Sequence, residues 1–156
     1  MRRLSMVGVA TMLSVACAQT PSSGSEQATA PTDLAAAAAS MYEGYTSAIA
    51  TPRREAIAGF YHPDGATRVI NGVANRRTRA ALDSSYRGAW SPPTYFAWDT
   101  LAFDAIGPGQ VLVTGLFRWQ GAGQRDTVPW IYASLLHATD SGLAIVFEHE
   151  TIRPPR

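Results

Sequence analysis

The C-terminal part of the chain contains four strand-like segments that follow one another with only short turns between them. The segments cover residues 94–103, 111–119, 127–137 and 143–152, and the intervening "GPGQ", "GAGQ" and "TDSG" are rich in turn-forming residues. Connections this short cannot carry the crossover that a parallel neighbour would need. The pattern therefore predicts an antiparallel meander of four strands, which constrains every possible fold of this chain.

Helical spacing dominates the segment before the meander. We expect a helix from Asp33, a short second helix after Thr51-Pro52, and a third helix over residues 75–90. Between the last two, "ATRVI" at 66–70 predicts a short strand that ends at an Asn-Gly turn. Helices that precede a sheet predict an α+β fold in which the three helices pack on one face of a curved antiparallel sheet.

Folding each hairpin about the centre of its turn predicts which strand residues share a face. The face toward the helices is expected to carry Leu101, Val113, Gly115, Phe117, Trp130, Tyr132, Leu143, Ile145, Phe147 and His149. The outer face is expected to carry Trp98, Leu116, Arg118, Ile131, Leu135, His137, Val146 and Glu148. A register shift of one residue would exchange the two sets.

The order of elements and two local strings resemble one superfamily. "EAIAGFYHPDGATRV" and "TDSGLAIVFEHET" are similar to segments of the nuclear transport factor 2-like, or SnoaL-like, proteins, and the resemblance covers residues 33–152. In the second string Ile145 and His149 match the family's closing strand, while Leu143 and Thr151 replace its usual Trp and Ser. The resemblance implies a cone-shaped α+β domain. It does not imply one activity, because the superfamily includes isomerases, cyclases, dehydratases and binding domains.

The resemblance also allows one activity of the superfamily, ketosteroid isomerisation, to be checked against the residues of this chain. In the ketosteroid isomerases of this fold, a tyrosine of the first helix helps form an oxyanion hole and an aspartate on the first strand is the base. Tyr45 falls at the position of that tyrosine, whereas the base position falls on Val69 or Ile70. Neither of those side chains accepts a proton, so the sequence argues against an isomerase of this type.

Aromatic residues and one histidine are the candidates for a pocket inside the cone. The candidate ligand-binding residues are Tyr45, Tyr61, Tyr86, Trp119, Trp130, Tyr132 and His149. For each aromatic residue, packing in the core is the alternative interpretation. His149 is the candidate general base, with Tyr45 as hydrogen-bond donor. The alternative interpretation of His149 is a histidine at a strand end whose ring nitrogens form hydrogen bonds with a backbone group or with Tyr132.

Composition excludes several kinds of chemistry. The basic residues are all arginine, which excludes a Schiff-base lysine, and Cys17 is the single cysteine. Glu148 and Glu150 alternate away from His149 on a strand, so "EHE" by itself cannot chelate a metal, and we predict no metal site. No phosphate-binding loop or dinucleotide fingerprint occurs, so no cofactor is predicted. A net charge of +1 with 16% charged residues gives no support for nucleic-acid binding.

The N-terminus is typical of a bacterial export signal. Residues 1–17 combine an arginine pair, a short apolar stretch and small residues, which predicts a signal peptide with a lipidated Cys17. Cleavage after Ala18, within an A-x-A pattern, is the alternative. Residues 18–32 are polar and small, as in a flexible linker, and the SnoaL-like domain is expected over 33–153.

These observations favour binding over catalysis. We expect an exported domain, anchored to the membrane through a lipid on Cys17, that binds a small apolar or amphipathic molecule in its cone or serves as an accessory homodimer through its outer sheet face. The alternative is a lyase, isomerase or hydrolase that uses His149 and Tyr45. A third possibility is an envelope interaction domain whose cone is a filled core.

Overall fold

A computed structural model describes residues 31–52 and 54–154 of the chain. The predicted signal, Cys17 and most of the predicted linker lie outside these residues. These residues form three helices and six strands, and the strands make one sheet. The helices are α1 (Pro31–Ala50), α2 (Arg54–Ile57), which continues as a 3-10 turn (Ala58–Phe60), and α3 (Arg79–Arg87). The strands are β1 (Ala66–Ile70), β2 (Val73–Arg77), β3 (Tyr95–Gly107), β4 (Gln110–Gln120), β5 (Val128–Thr139) and β6 (Gly142–Ile152).

The sheet has the order β2-β1-β6-β5-β4-β3. Strands β3 to β6 form the predicted antiparallel meander, and β1 joins it by pairing in parallel with β6. The predicted α+β fold is therefore confirmed, but the sheet is mixed and has six strands. In the described part of the chain, no helix is both long enough and apolar enough to cross a membrane.

Helix α1 supplies the largest part of the helical layer against the sheet. Its buried positions recur every three or four residues, as predicted: Leu34, Ala38, Tyr42, Tyr45, Ala48 and Ile49. The helix begins at Pro31, slightly before the expected start at Asp33, which lies in its first turn. The hydroxyl of Tyr42 reaches across to Ser134 on β5, so the helix is fixed to the middle of the sheet.

The prediction of a third helix that starts at residue 75 is wrong at its N-terminal end. Asn71 and Gly72 have positive φ angles of 48° and 81°, as in a tight hairpin turn, and fold β2 back onto β1. The helix starts only at Arg79, where the side chain of Thr78 accepts a hydrogen bond from the Ala81 N–H at 3.2 Å. The hairpin signal was recognised in the sequence, but its second strand was not.

Two β-bulges change which residues face the helices. The pairing of β5 with β6 shifts between Leu135 and Leu136, where Val146 is the extra residue, and the pairing of β3 with β4 shifts at Asp99. Up to Ile145 the predicted alternation of β6 holds. Beyond the bulge it is reversed, so Glu148 pairs with Ser134 on the helix side and His149 pairs with Ala133 on the outer side.

The predicted faces are therefore right for β4 and β5 and wrong at two places. Trp98 was expected on the outer face but lies on the inner side, where its ring packs 5.1 Å from the ring of Tyr132. Phe147 and His149 were expected inside, and Glu148 outside; each takes the opposite face. Leu116, Ile131 and Leu135 lie on the outer face as predicted, and Ile131 remains 38% exposed.

Candidate functional site

A cavity of about 310 Å³ lies between the helices and the concave face of the sheet. Nine aromatic residues line it, together with two isoleucines, one arginine and one glutamate. The aromatic residues are Tyr45, Tyr86, Trp90, Phe96, Trp98, Phe117, Trp119, Trp130 and Tyr132; the others are Ile49, Ile70, Arg68 and Glu150. The lining is thus mostly apolar, with its charged groups confined to Arg68 and Glu150.

Five of the seven residues predicted to bind a ligand line this cavity: Tyr45, Tyr86, Trp119, Trp130 and Tyr132. Tyr61 does not line it, because it is fully buried beneath the wall, where its hydroxyl contacts Glu148. His149 does not line it either, since the bulge at Val146 places it on the outer face of the sheet. His149 therefore cannot act as a base on a molecule held in the cavity.

A third charged residue, Glu148, lies beneath the cavity wall and is 0% exposed. One carboxylate oxygen, Oε1, accepts hydrogen bonds from Tyr45 at 2.9 Å and from Tyr132 at 3.2 Å. The other, Oε2, accepts from Tyr61 at 2.8 Å and from the Arg68 Nε–H at 2.5 Å. Four donors occupy the acceptor sites of this side chain, an arrangement that fits an ionised carboxylate.

The remaining hydroxyls connect to this carboxylate in a definite order. Tyr61 gives its one proton to Glu148, so the Tyr86 hydroxyl, 2.9 Å away, must donate to Tyr61. In the same way the hydroxyl of Tyr132 donates its one proton to Glu148, so the Tyr42 hydroxyl donates to the oxygen of Tyr132, 2.8 Å away. Ser134 then donates to Tyr42. The buried network therefore orients its protons toward a single charge.

Burial and charge keep these hydroxyls protonated. Burial raises the pKa of Tyr45, Tyr61 and Tyr132 well above the usual value, and the charge of Glu148 raises the pKa of each further. The Tyr45 hydroxyl was predicted to donate to a ligand oxygen. It lies in the cavity wall, but its proton is already committed to Glu148. In this arrangement Tyr45 contributes its ring to the cavity and its hydroxyl to the network.

Arg68 balances the charge of Glu148. Burial is the largest single influence and would by itself lower the pKa of the guanidinium, but Glu148 acting together with the neighbouring tyrosines and Glu150 outweighs it and raises the pKa, so Arg68 stays charged. The guanidinium also lies over the rings of Tyr61 and Tyr86, 5.9 and 5.8 Å from their centroids. Arg68 and Ile70 are two residues apart on β1, and side chains two apart on a strand lie on the same face. Both therefore face the cavity.

Glu150 is the second carboxyl group of the site and is much less well satisfied. Its Oε2 lies 3.7 Å from Arg68 Nη2, and no donor among the described residues makes a hydrogen bond to it. Burial raises the pKa of Glu150 from 4.5 to about 8; the charge of Glu148 adds to this rise, and Arg68 opposes it. Glu150 thus exchanges a proton near neutral pH while lining the cavity.

Arg68, Glu148 and Glu150 are not among the site residues that the sequence predicts. A weak signal was present, because Arg68 and Ile70, like Glu148 and Glu150, are spaced by two on predicted strands and must share a face. Whether that face of β6 points to the helices or to the outer surface depends on the bulge at Val146. In the described ranges, no group of three or more histidine, cysteine, aspartate or glutamate side chains is arranged to hold a metal ion.

Comparison with solved structures identifies the fold as nuclear transport factor 2-like. A nuclear transport factor 2-like protein of unknown function from Shewanella oneidensis superposes with a TM-score of 0.64 at 13% identity, covering 74% of this chain and 97% of that one. An uncharacterised protein with a cystatin-like fold from Caulobacter vibrioides gives 0.65 at 18% identity, covering 79% and 92%. These identities are too low to transfer an activity, so the likeness establishes the fold alone.

A third similar structure carries a functional name. The "putative ketosteroid isomerase" from Parabacteroides distasonis superposes with a TM-score of 0.60 at 11% identity, covering 76% of this chain and 86% of that one. No family model matches the sequence, and no curated protein does.

Proposed function

We propose that this domain binds a small, mostly apolar molecule in the cavity between its helices and its sheet. The observation that carries the proposal is the cavity itself: about 310 Å³ lined by nine aromatic side chains, with Arg68 and Glu150 as its charged groups. Ligand sites in proteins are typically apolar hollows of roughly 300–1,000 Å³ with a few polar groups that orient the ligand. The volume fits a molecule of one or two rings.

Thermal stabilisation by neutral aromatic probes tests the proposal. We expect indole and naphthalene to raise the melting temperature of the wild-type domain, because ligands that bind only the folded state stabilise it. Ile70→Phe should fill part of the cavity and weaken this effect. Val69→Phe, one residue along and on the opposite face, is the matched control and should retain it. Equal stabilisation of both variants, or none of the wild type, would contradict binding in this cavity.

Glu150 favours a second candidate function, proton transfer on a bound molecule. Its pKa of about 8 is close to working pH, which suits a general acid or base. The test is incorporation of deuterium from D2O into 2-indanone, whose α-protons are acidic. Faster exchange with the wild type than with Glu150→Gln would support this candidate, and equal rates would reject it. His149→Gln is the control that should behave as the wild type.

Isomerase chemistry of the ketosteroid type is not part of the proposal. The similar structure from Parabacteroides distasonis bears that name, but the sequence places the base position at Val69 or Ile70. Ile70 lines the cavity and offers no proton acceptor, while Val69 alternates to the opposite face. The tyrosine expected to hold the oxyanion, Tyr45, donates to Glu148 instead.

We also propose that the domain is exported and held at a membrane by a lipid on Cys17. The support comes from the sequence of residues 1–17 and from the polar segment that follows. Labelling of cells with a fatty-acid analogue should mark the wild type and not Cys17→Ser. Equal labelling of the two would reject the lipid anchor and favour cleavage after Ala18.

The outer face of the sheet is proposed as a homodimer interface. Leu116, Ile131 and Leu135 lie there, and the reversed register of β6 adds Phe147. A cluster of large apolar side chains on one sheet face is typical of an interaction surface. Light scattering should therefore give the mass of a dimer for the wild type and of a monomer for Ile131→Glu. A wild-type monomer at high concentration would reject this interface.

A further inference from the structure

The charges around the cavity do not balance. Arg68 contributes one positive charge, whereas Glu148 and Glu150 contribute two carboxyl groups. The guanidinium makes its close contact with Glu148, at 2.5 Å, and approaches Glu150 only to 3.7 Å. Glu148 also accepts three tyrosine hydroxyls, whereas the side-chain carboxylate of Glu150 receives no hydrogen bond from the described residues. The unbalanced negative charge therefore belongs to Glu150, which lines the cavity.

The walls beside Glu150 are unusually rich in tryptophan. The chain contains four tryptophans, and all of them line this cavity. Several rings of the lining meet at steep angles, 64° between Trp90 and Trp119 and 80° between Phe96 and Trp119, whereas Trp130 stacks on Phe117 at 3°. Electron-rich tryptophan rings in a cavity wall can make cation–π contacts with an organic cation.

From these two observations we infer that the ligand is an organic amine, bound as an ammonium ion beside Glu150 with its apolar body among the tryptophan rings. This inference rests on the proposed function, binding of a small molecule in the cavity, and specifies the chemical class of that molecule. An ammonium ion would supply the missing positive charge and hydrogen-bond donors to Glu150. A carboxylate ligand would instead bring a third negative group to a site with one arginine.

The state of Glu150 without ligand agrees with this inference. Because its pKa is raised to about 8, Glu150 takes up a proton at neutral pH, which neutralises the excess charge. An ammonium ion would replace that proton. Binding of an amine at pH 7 should therefore release a proton to the solvent, and amine affinity should rise with pH until Glu150 is fully ionised. Binding of a neutral molecule should release no proton.

Three probes of similar size separate the possibilities: 2-phenylethylamine, its neutral analogue 2-phenylethanol, and 3-phenylpropanoate. Titration calorimetry at pH 8.5 with the wild-type domain should rank the amine first, by about tenfold over the alcohol, the effect of one charge-assisted hydrogen bond. Repeating the amine titration at pH 7 in buffers of different ionisation enthalpy measures the protons released. We expect close to one proton for the amine and none for the alcohol.

Variants of two adjacent residues give a matched comparison. Glu150→Gln should lose the preference for the amine and still bind 2-phenylethanol, because the tryptophan walls are unchanged. His149→Gln, on the opposite face of the same strand, should bind as the wild type does. Should Glu150→Gln fail to fold, the proton count of the wild type decides the question without it.

The two proposals fail in different ways. If 2-phenylethanol or 3-phenylpropanoate binds as tightly as the amine at pH 8.5, or if amine binding releases no proton at pH 7, the inference of an amine ligand is overturned while binding in the cavity stands. If none of the probes binds and neutral aromatic molecules give no thermal stabilisation, the proposed function itself fails, and the inference fails with it.

Discussion

Arg68 and Glu148 form a partly buried ion pair in which Nε of the guanidinium lies 2.5 Å from Oε2 of the carboxylate, although the two residues come from strands far apart in sequence. The pair joins β1 to β6 at the point where the two strands run in parallel. Because Glu148 is 0% exposed, its charge depends on this partner and on three tyrosines. The stability of the domain should therefore be sensitive to either member of the pair.

Glu148→Ala should destabilise the fold by about 3–5 kcal/mol, because it leaves the partly buried charge of Arg68 without its close partner and removes the acceptor of three buried hydroxyls. The measurement is the free energy of unfolding in urea. The control is Asp83→Asn, which breaks an ion pair with Arg87 on the exposed surface of α3 and should leave the midpoint almost unchanged. Similar midpoints for the two variants would contradict the central role of Glu148.

The hydroxyl chain from Ser134 through Tyr42 and Tyr132 should behave as one unit. Tyr132→Phe removes a donor to Glu148 and the acceptor of Tyr42, so we expect a loss of about 1–3 kcal/mol. In the double variant with Tyr42→Phe the loss should be smaller than the sum of the single losses, because the second change removes a hydroxyl that has already lost its contact with Tyr132 and keeps only the one with Ser134. A double-mutant cycle from urea unfolding gives the coupling. Strict additivity would contradict an energetic link between these two hydroxyls.

Glu150 should make stability fall with rising pH. Its pKa in the folded state is about 8, against 4.5 as an unperturbed value, so the unfolded chain releases this proton first as pH rises. The free energy of unfolding should then decrease between about pH 4.5 and pH 8 and change little from this group outside that window. Glu150→Gln should flatten the dependence of melting temperature on pH across this window. Asp104→Asn, an exposed acid on β3, should not; a variant profile parallel to that of the wild type would refute the assignment.

Gly115 should not tolerate a side chain. A Cβ at this position would lie 2.6 Å from the backbone oxygen of Thr100 and 3.1 Å from a methyl carbon of Leu101, since β3 bends closely over β4 beside the bulge at Asp99. Gly115→Ala should therefore cost about 1–3 kcal/mol through local displacement of β3. Gly59→Ala, where the nearest atom is a flexible arginine nitrogen at 3.8 Å, is the control and should be close to neutral in the same thermal denaturation assay.

The meander and the helix-first order were predictable because they depend on turn residues and on apolar spacing over many positions. The inner face of β4 and β5 was predictable for the same reason, since strict alternation holds from Val113 to Phe117 and from Trp130 to Ser134. Strand β2 was missed because "VANRR" is short, polar and almost wholly exposed. Nothing in such a segment distinguishes an edge strand from the start of a helix.

The charged part of the site was not predictable from periodicity. "LAIVFEHE" contains a continuous apolar run, and no residue in it marks Val146 as the extra residue of a bulge. The prediction therefore carried the alternation straight through and placed His149 inside. A buried glutamate with four donors is also an unusual tertiary arrangement, because its partners come from α1, β1, β5 and the segment after α2. Only the assembled fold brings them together.

The extra residue at Val146 decides which chemical groups this wall presents. Upstream of it the strand contributes aliphatic side chains to the interior; downstream it contributes two acids, and it turns an imidazole toward the other surface. Pairing the same residues without the bulge would keep every letter of the strand yet exchange an acidic lining for a weakly basic one. In this domain the pairing of a strand, as much as its composition, selects the kind of molecule that the interior can accept.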